Sequence, residues 1–298
     1  MLNQPWITPS VFESTGNDNI VDEFTLGQLL DGQTALTMLN NHWSTVRCLR
    51  PLIFSSSFIL LLSFSGLQKV TSSRSKQRDL RMSGKRKLLS RWDLLLTINI
   101  CRIPIGYWSI PLTASDTSTS TSTAPYIKGA WTYFLRALVW AKKHNVRVIV
   151  DLHGAPGSQN GYDNSGQLTG NPVWAVNPDN VTRTVDTLKF LAKEVGNQVD
   201  VIELLNEAAG FRSDDWAATV RSFWEDAYDA VRQAAGQAAG EDVKIMIGDA
   251  FLGVNVIFSY RLSTESCTSQ FLFSFFQSWT NFLTPPQGQG VMMDFVSV

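Results

Sequence analysis

The chain has 298 residues and a formal net charge of −1, so there is no electrostatic case for binding nucleic acid or an anionic membrane. Hydrophobic residues make up 44% of the chain, which is enough for one large α/β domain or two small ones. Three cysteines without metal-ligand spacing and only three histidines argue against a metal centre, and we expect no cofactor. Ten tryptophans are many for a chain of this length. An excess of tryptophan often marks a carbohydrate site, although tryptophan also fills hydrophobic cores.

The first 45 residues are polar and aromatic, with helix signals through Val21–Leu39. The start of the chain has neither a basic segment nor an apolar core, so we expect no signal peptide. The next stretch, Val46–Ile100, differs from its neighbours in composition. It contains the apolar, serine-rich run Leu52–Leu67, whose 16 residues are fewer than the ~20 of a membrane span.

Residues 102–255 alternate short apolar runs with amphipathic helices, which indicates a parallel sheet with helices outside. A (β/α)8 TIM barrel is the leading prediction, and it is expected to be incomplete because five strand candidates cannot close it. The predicted strands are Ile98–Ile105, Val146–Leu152, Val199–Leu205, Val243–Ile247 and Val291–Phe295. The predicted helices are Lys128–Lys143, Pro178–Val195 with Asn177 as its cap, and Asp214–Ala235 with Ser213 as its cap.

The strand candidate Val199–Leu205 ends abruptly in Asn206 and Glu207. Ligands bind beyond the carboxyl ends of buried parallel strands, so a carboxyl group beside an amide donor is well placed there for acid/base chemistry. Glycoside cleavage needs such a general acid. The alternative is an ordinary loop start, since many strands end in a polar pair.

Three motifs together resemble fungal exo-β-1,3-glucanases of glycoside hydrolase family 5. They are Arg102-Ile-Pro-Ile-Gly-Tyr-Trp, Asp151-Leu-His-Gly-Ala-Pro-Gly-Ser-Gln-Asn-Gly, and Leu205-Asn-Glu. The resemblance covers residues 1–45, 102–255 and 278–295, about two-thirds of the chain. It implies a single retaining (β/α)8 hydrolase domain over residues 1–298, with 46–100 and 256–277 as insertions foreign to the family.

The resemblance also implies a role for each site residue. Glu207 is expected to be the acid/base, and Asn206 to bind the sugar 2-hydroxyl. Arg102 is expected to position the carboxylate of the nucleophile, His153 to line the glucose subsite, and Tyr162 to supply an aromatic ring at the subsite entrance.

Simpler interpretations stay open for these residues. Arg102 could pair with a barrel carboxylate, and His153 could be a hydrogen-bonded residue at a strand end. The carboxyl groups of Glu203 and Asp151 are expected to be structural. Tyr162 carries the weakest assignment.

The chain departs from the family pattern at both ends. The family has a first strand before the segment that begins this chain, and its nucleophilic Glu follows the point where this chain stops. The resemblance therefore leaves the nucleophile absent and the activity of this chain doubtful. Each foreign stretch begins with valine, at Val46, Val256 and Val296. Valine codons begin with GT, as introns do, so we hypothesise that these stretches are translated introns of a mis-spliced message.

The leading function is therefore a glucan exo-1,3-β-glucosidase that releases glucose from β-1,3-glucan. It is expected to be a monomer that acts outside the cell or at the cell wall, with glucan oligosaccharides as partners and no nucleic acid or membrane. The alternatives are a non-catalytic glycan-binding protein that retains the sugar subsite, and a membrane-anchored protein using Leu52–Leu67. The Asn180-Val-Thr sequon is expected to be exposed.

Overall fold

The chain begins with three short helices. The computed structural model describes residues 9–44, 100–113, 115–116, 124–235, 243–252 and 291–294. The helices are α1 (Pro9–Glu13), α2 (Glu23–Leu29) and α3 (Gly32–Ser44). The helix signals at Val21–Leu39 correspond to two helices, because Leu30 is extended and Asp31 caps the second one, its Oδ1 accepting from Thr34 N at 2.9 Å.

Five strands form one sheet, in which they pair in chain order and every pair is parallel. Within the described residues, a helix lies between each pair of successive strands up to the fourth, as the alternating pattern predicts. The described strands correspond to part of an eight-stranded α/β barrel. They are β1 (Ile100–Gly106), β2 (Arg147–Gly154), β3 (Val201–Glu203), β4 (Lys244–Gly248) and β5 (Val291–Asp294), and the helices between them are α4 (Ala130–Lys143), α5 (Pro178–Val195) and α6 (Asp214–Ala235).

Local side-chain chemistry fixes where α5 and α6 begin. The Asn177 Oδ1 accepts from Asp179 N at 3.0 Å, and Pro178 occupies the first turn of α5, where its missing N–H costs nothing. The Ser213 hydroxyl accepts from Trp216 N at 3.1 Å at the start of α6. Both predicted caps are confirmed.

The two faces of the sheet bury different side chains. On one face, alternate residues of the strands pack with the helices in the main hydrophobic core, including Ile103, Val150 and Ile202. The opposite face begins with a small apolar cluster of Ile149, Val201 and Met246, against which Ile100 packs. Above this cluster, toward the carboxyl ends of the strands, the same face turns polar.

Two expectations differ from the structure, and a third falls on residues that the structure does not describe. β3 is shorter than Val199–Leu205, although its neighbourhood stays bonded, since Leu204 N donates to Met246 O at 2.9 Å. The stretches Val46–Ile100 and Val256–Gln277 lie outside the described residues, except that Ile100 begins β1. Asn180 is only half-buried rather than exposed, because it lies in α5 with Nδ2 3.5 Å from Val173 O. Within the described ranges, no helix is long and apolar enough to cross a membrane.

Candidate active site

Arg102 is the centre of a polar network at the carboxyl ends of β1, β2 and β3. Its Nε and Nη2 donate to the two carboxylate oxygens of Glu203 at 2.7 and 2.6 Å. Nη2 also lies 3.2 Å from Asp151 Oδ2 and donates to Asn206 Oδ1 at 2.8 Å. Alternation along the parallel strands puts Arg102, Asp151 and Glu203 on the same face, so one guanidinium can serve two buried carboxylates.

His153 joins the same network from β2. Its Nδ1 lies 2.5 Å from Asp151 Oδ2, and its Nε2 lies 3.4 Å from Asn206 Nδ2. Burial alone would raise the pKa of Asp151, but attraction to Arg102 and His153 outweighs it and holds that pKa below its ordinary value. An ionised Asp151 then orients the imidazole, leaving Nε2 directed toward Asn206.

Glu207 follows Asn206 directly, in a backbone conformation that non-glycine residues seldom adopt. Its φ is +48°, in the left-handed region, where residues cluster at functional sites. The amide of Asn164 donates to Glu207 Oε2 at 2.6 Å. Asn164 also accepts from Asn160 Nδ2 at 3.1 Å, so the loop after β2 holds the carboxyl group of Glu207.

Gln159 ties the loop after β2 to the loop after β3. Its buried Nε2 donates to His153 O at 2.8 Å and to Asn206 O at 3.0 Å, while its Oε1 accepts from Ala155 N at 3.1 Å. A single buried amide thereby satisfies backbone groups of both loops. Neither Gln159 nor Asn164 was among the predicted site residues, although Gln159 lies inside the motif that begins at Asp151 and Asn164 follows it closely.

The N-terminal helices also reach this end of the sheet. The Trp108 indole N–H, just past β1, donates to Glu23 Oε2 at 2.7 Å. Desolvation by burial raises the pKa of Glu23 to about 8, against the opposing hydrogen bond from Trp108, and the charge of Asp22 adds to the rise. No sequence pattern signals this contact, which joins residues 85 positions apart.

The structure therefore joins three of the five predicted site residues in one hydrogen-bonded network. Arg102, His153 and Asn206 are bonded to one another directly or through Asp151, and Glu207 is adjacent in sequence to Asn206. Tyr162 lies two residues before Asn164 with its side chain 46% exposed. The contacts of Arg102 match the simpler interpretation, a pair with a barrel carboxylate, and Glu203 is that carboxylate.

This arrangement suits chemistry on a polar, uncharged ligand. It offers amide and imidazole groups for hydrogen bonds to hydroxyls, beside a carboxyl group that can exchange a proton. Within the described ranges, no group of three or more His, Cys, Asp or Glu side chains is placed to hold a metal ion.

Comparison with known proteins assigns the class. A family model described as cellulase, glycosyl hydrolase family 5, matches residues 96–271, more than half of the chain. The chain therefore belongs to glycoside hydrolase family 5, and the resemblance inferred from the three motifs is confirmed.

Individual relatives are similar along most of this chain. A glucan 1,3-β-glucosidase of Blumeria graminis is 35% identical over 253 residues, covering 84% of this chain and 46% of that protein. A probable glucan 1,3-β-glucosidase A of Aspergillus fumigatus is 32% identical over 299 residues, covering 99% and 52%. The chain thus spans about half the length of the curated relatives it matches.

A solved structure supports the fold. The crystal structure of rutinosidase from Aspergillus niger superposes with a TM-score of 0.51 at 19% identity, covering 83% of this chain and 59% of that one. With the parallel sheet and its alternating helices, this likeness confirms the prediction of an incomplete TIM barrel.

Proposed function

We propose that the site binds the terminal glucose of a β-1,3-glucan, and that the chain derives from a glucan exo-1,3-β-glucosidase acting with retention. Asn206 carries this proposal, because its side chain contacts both Arg102 and His153 and the next residue is Glu207. The names of the relatives support β-1,3-glucan as the substrate class. From such a substrate we infer that the protein acts outside the cell or at the cell wall.

In this proposal Glu207 protonates the departing glycosidic oxygen, and Asn164 holds it in place. The amide of Asn206 is positioned by Arg102, which accounts for its orientation toward a sugar hydroxyl. His153 offers Nε2 to a second hydroxyl, and Tyr162 lies at the entrance, where an exposed ring can stack on a sugar face.

We further propose that these 298 residues bind glucan without turning it over. Retention requires a second, ionised carboxyl group about 5–5.5 Å from the acid, able to attack the sugar. On β1, β2 and β3, the carboxylates of Asp151 and Glu203 contact Arg102 and have side chains only 0% and 2% exposed, so neither is accessible to a sugar as that nucleophile. The alternative of a glycan-binding protein that retains the subsite rests on the same observation.

Calorimetry with laminaritriose and release of glucose from laminarin test the proposal. We expect binding, a loss of at least tenfold in affinity for Asn206→Ala, and no loss for Asn197→Ala, an exposed asparagine away from the site. Absence of binding by the unmodified chain would overturn the proposed substrate. Glucose release that disappears in Glu207→Gln would support the acid role and refute the proposed inactivity.

We also propose that residues 46–100 and 256–277 are translated introns that interrupt one catalytic domain. Their composition differs from that of the flanking segments, and each begins with valine at the point of departure. The family match extends to residue 271 and so includes part of the second stretch. Sequencing the spliced transcript tests the proposal, and a mature message encoding all 298 residues would refute it.

A further inference from the structure

The indole of Trp108 is held from two directions behind the candidate site. Its N–H donates to Glu23 Oε2, and its ring stacks on Tyr126 with centroids 4.1 Å apart and planes 7° from parallel. Both Trp108 and Glu23 are almost fully buried. The hydrogen bond therefore fixes the ring within its own plane, while the stack fixes it along the perpendicular.

Three glycines approach the same ring closely: Gly106 ends β1, Gly154 ends β2, and Gly166 follows the turn that carries Asn164. A Cβ on these glycines would lie 2.3, 2.6 and 2.1 Å from ring atoms of Trp108, so their backbones are in contact with the indole. The ring therefore sets the spacing between the strand end next to His153 and the turn next to Asn164.

The residues on both sides of Glu23 fasten the same turn. Leu168 N donates to Asp22 Oδ2 at 2.6 Å, and Phe24 N donates to Gly166 O at 3.1 Å. Three consecutive residues at the start of α2 thus hold Trp108 and residues 166–168 together. Any displacement of α2 would be transmitted to this turn.

We propose that Glu23 is a positioning residue of the glucan site, acting through Trp108 on the turn that holds Asn164 against Glu207. This inference rests on the proposed function for its consequence in sugar binding. Loss of the Glu23–Trp108 hydrogen bond loosens residues 163–168 and releases the carboxyl group of Glu207 from Asn164.

Ionisation of Glu23 is the natural perturbation. The Trp108 N–H favours the carboxylate, but burial opposes the charge more strongly and raises the pKa of Glu23 to about 8. A charge formed above that pH would draw Glu23 toward water and away from the indole. The titratable groups that interact with Glu23 are Asp22 beside it and the phenol of Tyr126. Tyr107 interacts in turn with Tyr126, and the ammonium of Lys128 donates to Trp108 O at 3.2 Å. Burial raises the pKa of Tyr126 well above its ordinary value, so that phenol stays neutral. Burial lowers the pKa of Lys128, so its titration has to be separated from that of Glu23.

Hydrogen exchange of residues 163–168, corrected for the intrinsic pH dependence, and laminaritriose affinity provide two readouts at pH 6 and pH 9. For the unmodified chain we expect exchange to rise at least threefold at pH 9 and affinity to fall at least threefold. Glu23→Gln, which keeps the shape of the neutral acid, is expected to show neither change. Glu13→Gln, an exposed residue of α1, is the matched control and should behave as the unmodified chain.

Three results would overturn the inference: no alkaline response in the unmodified chain, the full response persisting in Glu23→Gln, or the response disappearing in Lys128→Met. The last variant also decides the matter if Glu23→Gln does not fold, since a response that persists without Lys128 supports Glu23. If no form binds laminaritriose at pH 6, the proposed function fails, while the exchange comparison still decides whether Glu23 controls the turn.

Discussion

Replacing Arg102 by methionine should be among the most destabilising single changes near the site. The substitution removes the guanidinium that contacts the carboxylates of both Asp151 and Glu203, whose side chains are 0% and 2% exposed. Breaking a buried ion pair by deleting one partner typically costs 3–5 kcal/mol. Arg102 itself keeps a third of its side chain in water, so we expect about 3 kcal/mol, a large share of a typical 5–15 kcal/mol.

Arg147→Met is the matched control, because it breaks an Arg–Asp pair of similar geometry at the surface. Arg147 Nε lies 2.8 Å from Asp200 Oδ1, but the arginine side chain is 58% exposed, so the expected loss is below about 1 kcal/mol. Urea denaturation followed by far-ultraviolet circular dichroism measures both.

The difference between Arg102→Met and the unmodified chain should shrink in acid. The pKa of Asp151 is lowered in the folded protein, so its contribution to stability is present above the ordinary value of 3.8 and lost as pH falls through the folded value. Equal losses for Arg102→Met and Arg147→Met at pH 7 would refute the reasoning.

Other expectations follow from the same contacts. Folding raises the pKa of Glu23 from 4.5 to about 8, so its contribution to folding stability is fully present below pH 4.5. That contribution declines by at most about 5 kcal/mol as the pH rises to 8. Glu23→Gln should therefore flatten the pH dependence of the unfolding midpoint. Gly166→Ala should lower the free energy of unfolding by about 2–4 kcal/mol in chemical denaturation, because φ is +84° and the new methyl would meet the Trp108 ring. Gly170→Ala is the control and should be near neutral, since a Cβ there meets nothing within 4 Å. Asn180 should stay unglycosylated after secretion from yeast, and an endoglycosidase mobility shift would contradict its half-buried placement.

The strands of the described sheet and the helices between them could be predicted from the sequence, because their signals are local. Apolar runs marked all five strands, and Asn177 and Ser213 marked two helix starts within one residue. The boundaries of the N-terminal helices were harder to predict, since the break at Asp31 depends on a side-chain cap within a continuous helical pattern. The length of β3 depends on pairing with its neighbours, which no local run specifies.

The residues of the candidate site also differ in how far the sequence alone could predict them. Arg102 within β1 and Asn206 just past β3 could be found because polar side chains interrupt or end apolar runs there. Glu23 could not, because its partner Trp108 is 85 positions away and a glutamate at the start of a helix ordinarily faces water. Gln159 was hidden for another reason: its bonds go to backbone groups, which carry no side-chain signal.

The ion pairs around Arg102 have a consequence for which sugars can enter. With Glu207 protonated, as its proposed acid role requires, Asp151 and Glu203 bring two formal negative charges against one positive charge on Arg102. A uronic acid or a carboxymethylated sugar would add a further anion to this excess, in surroundings where charges are poorly screened. We therefore expect the proposed glucan site to favour neutral hexose units and to exclude acidic polysaccharides of the same shape.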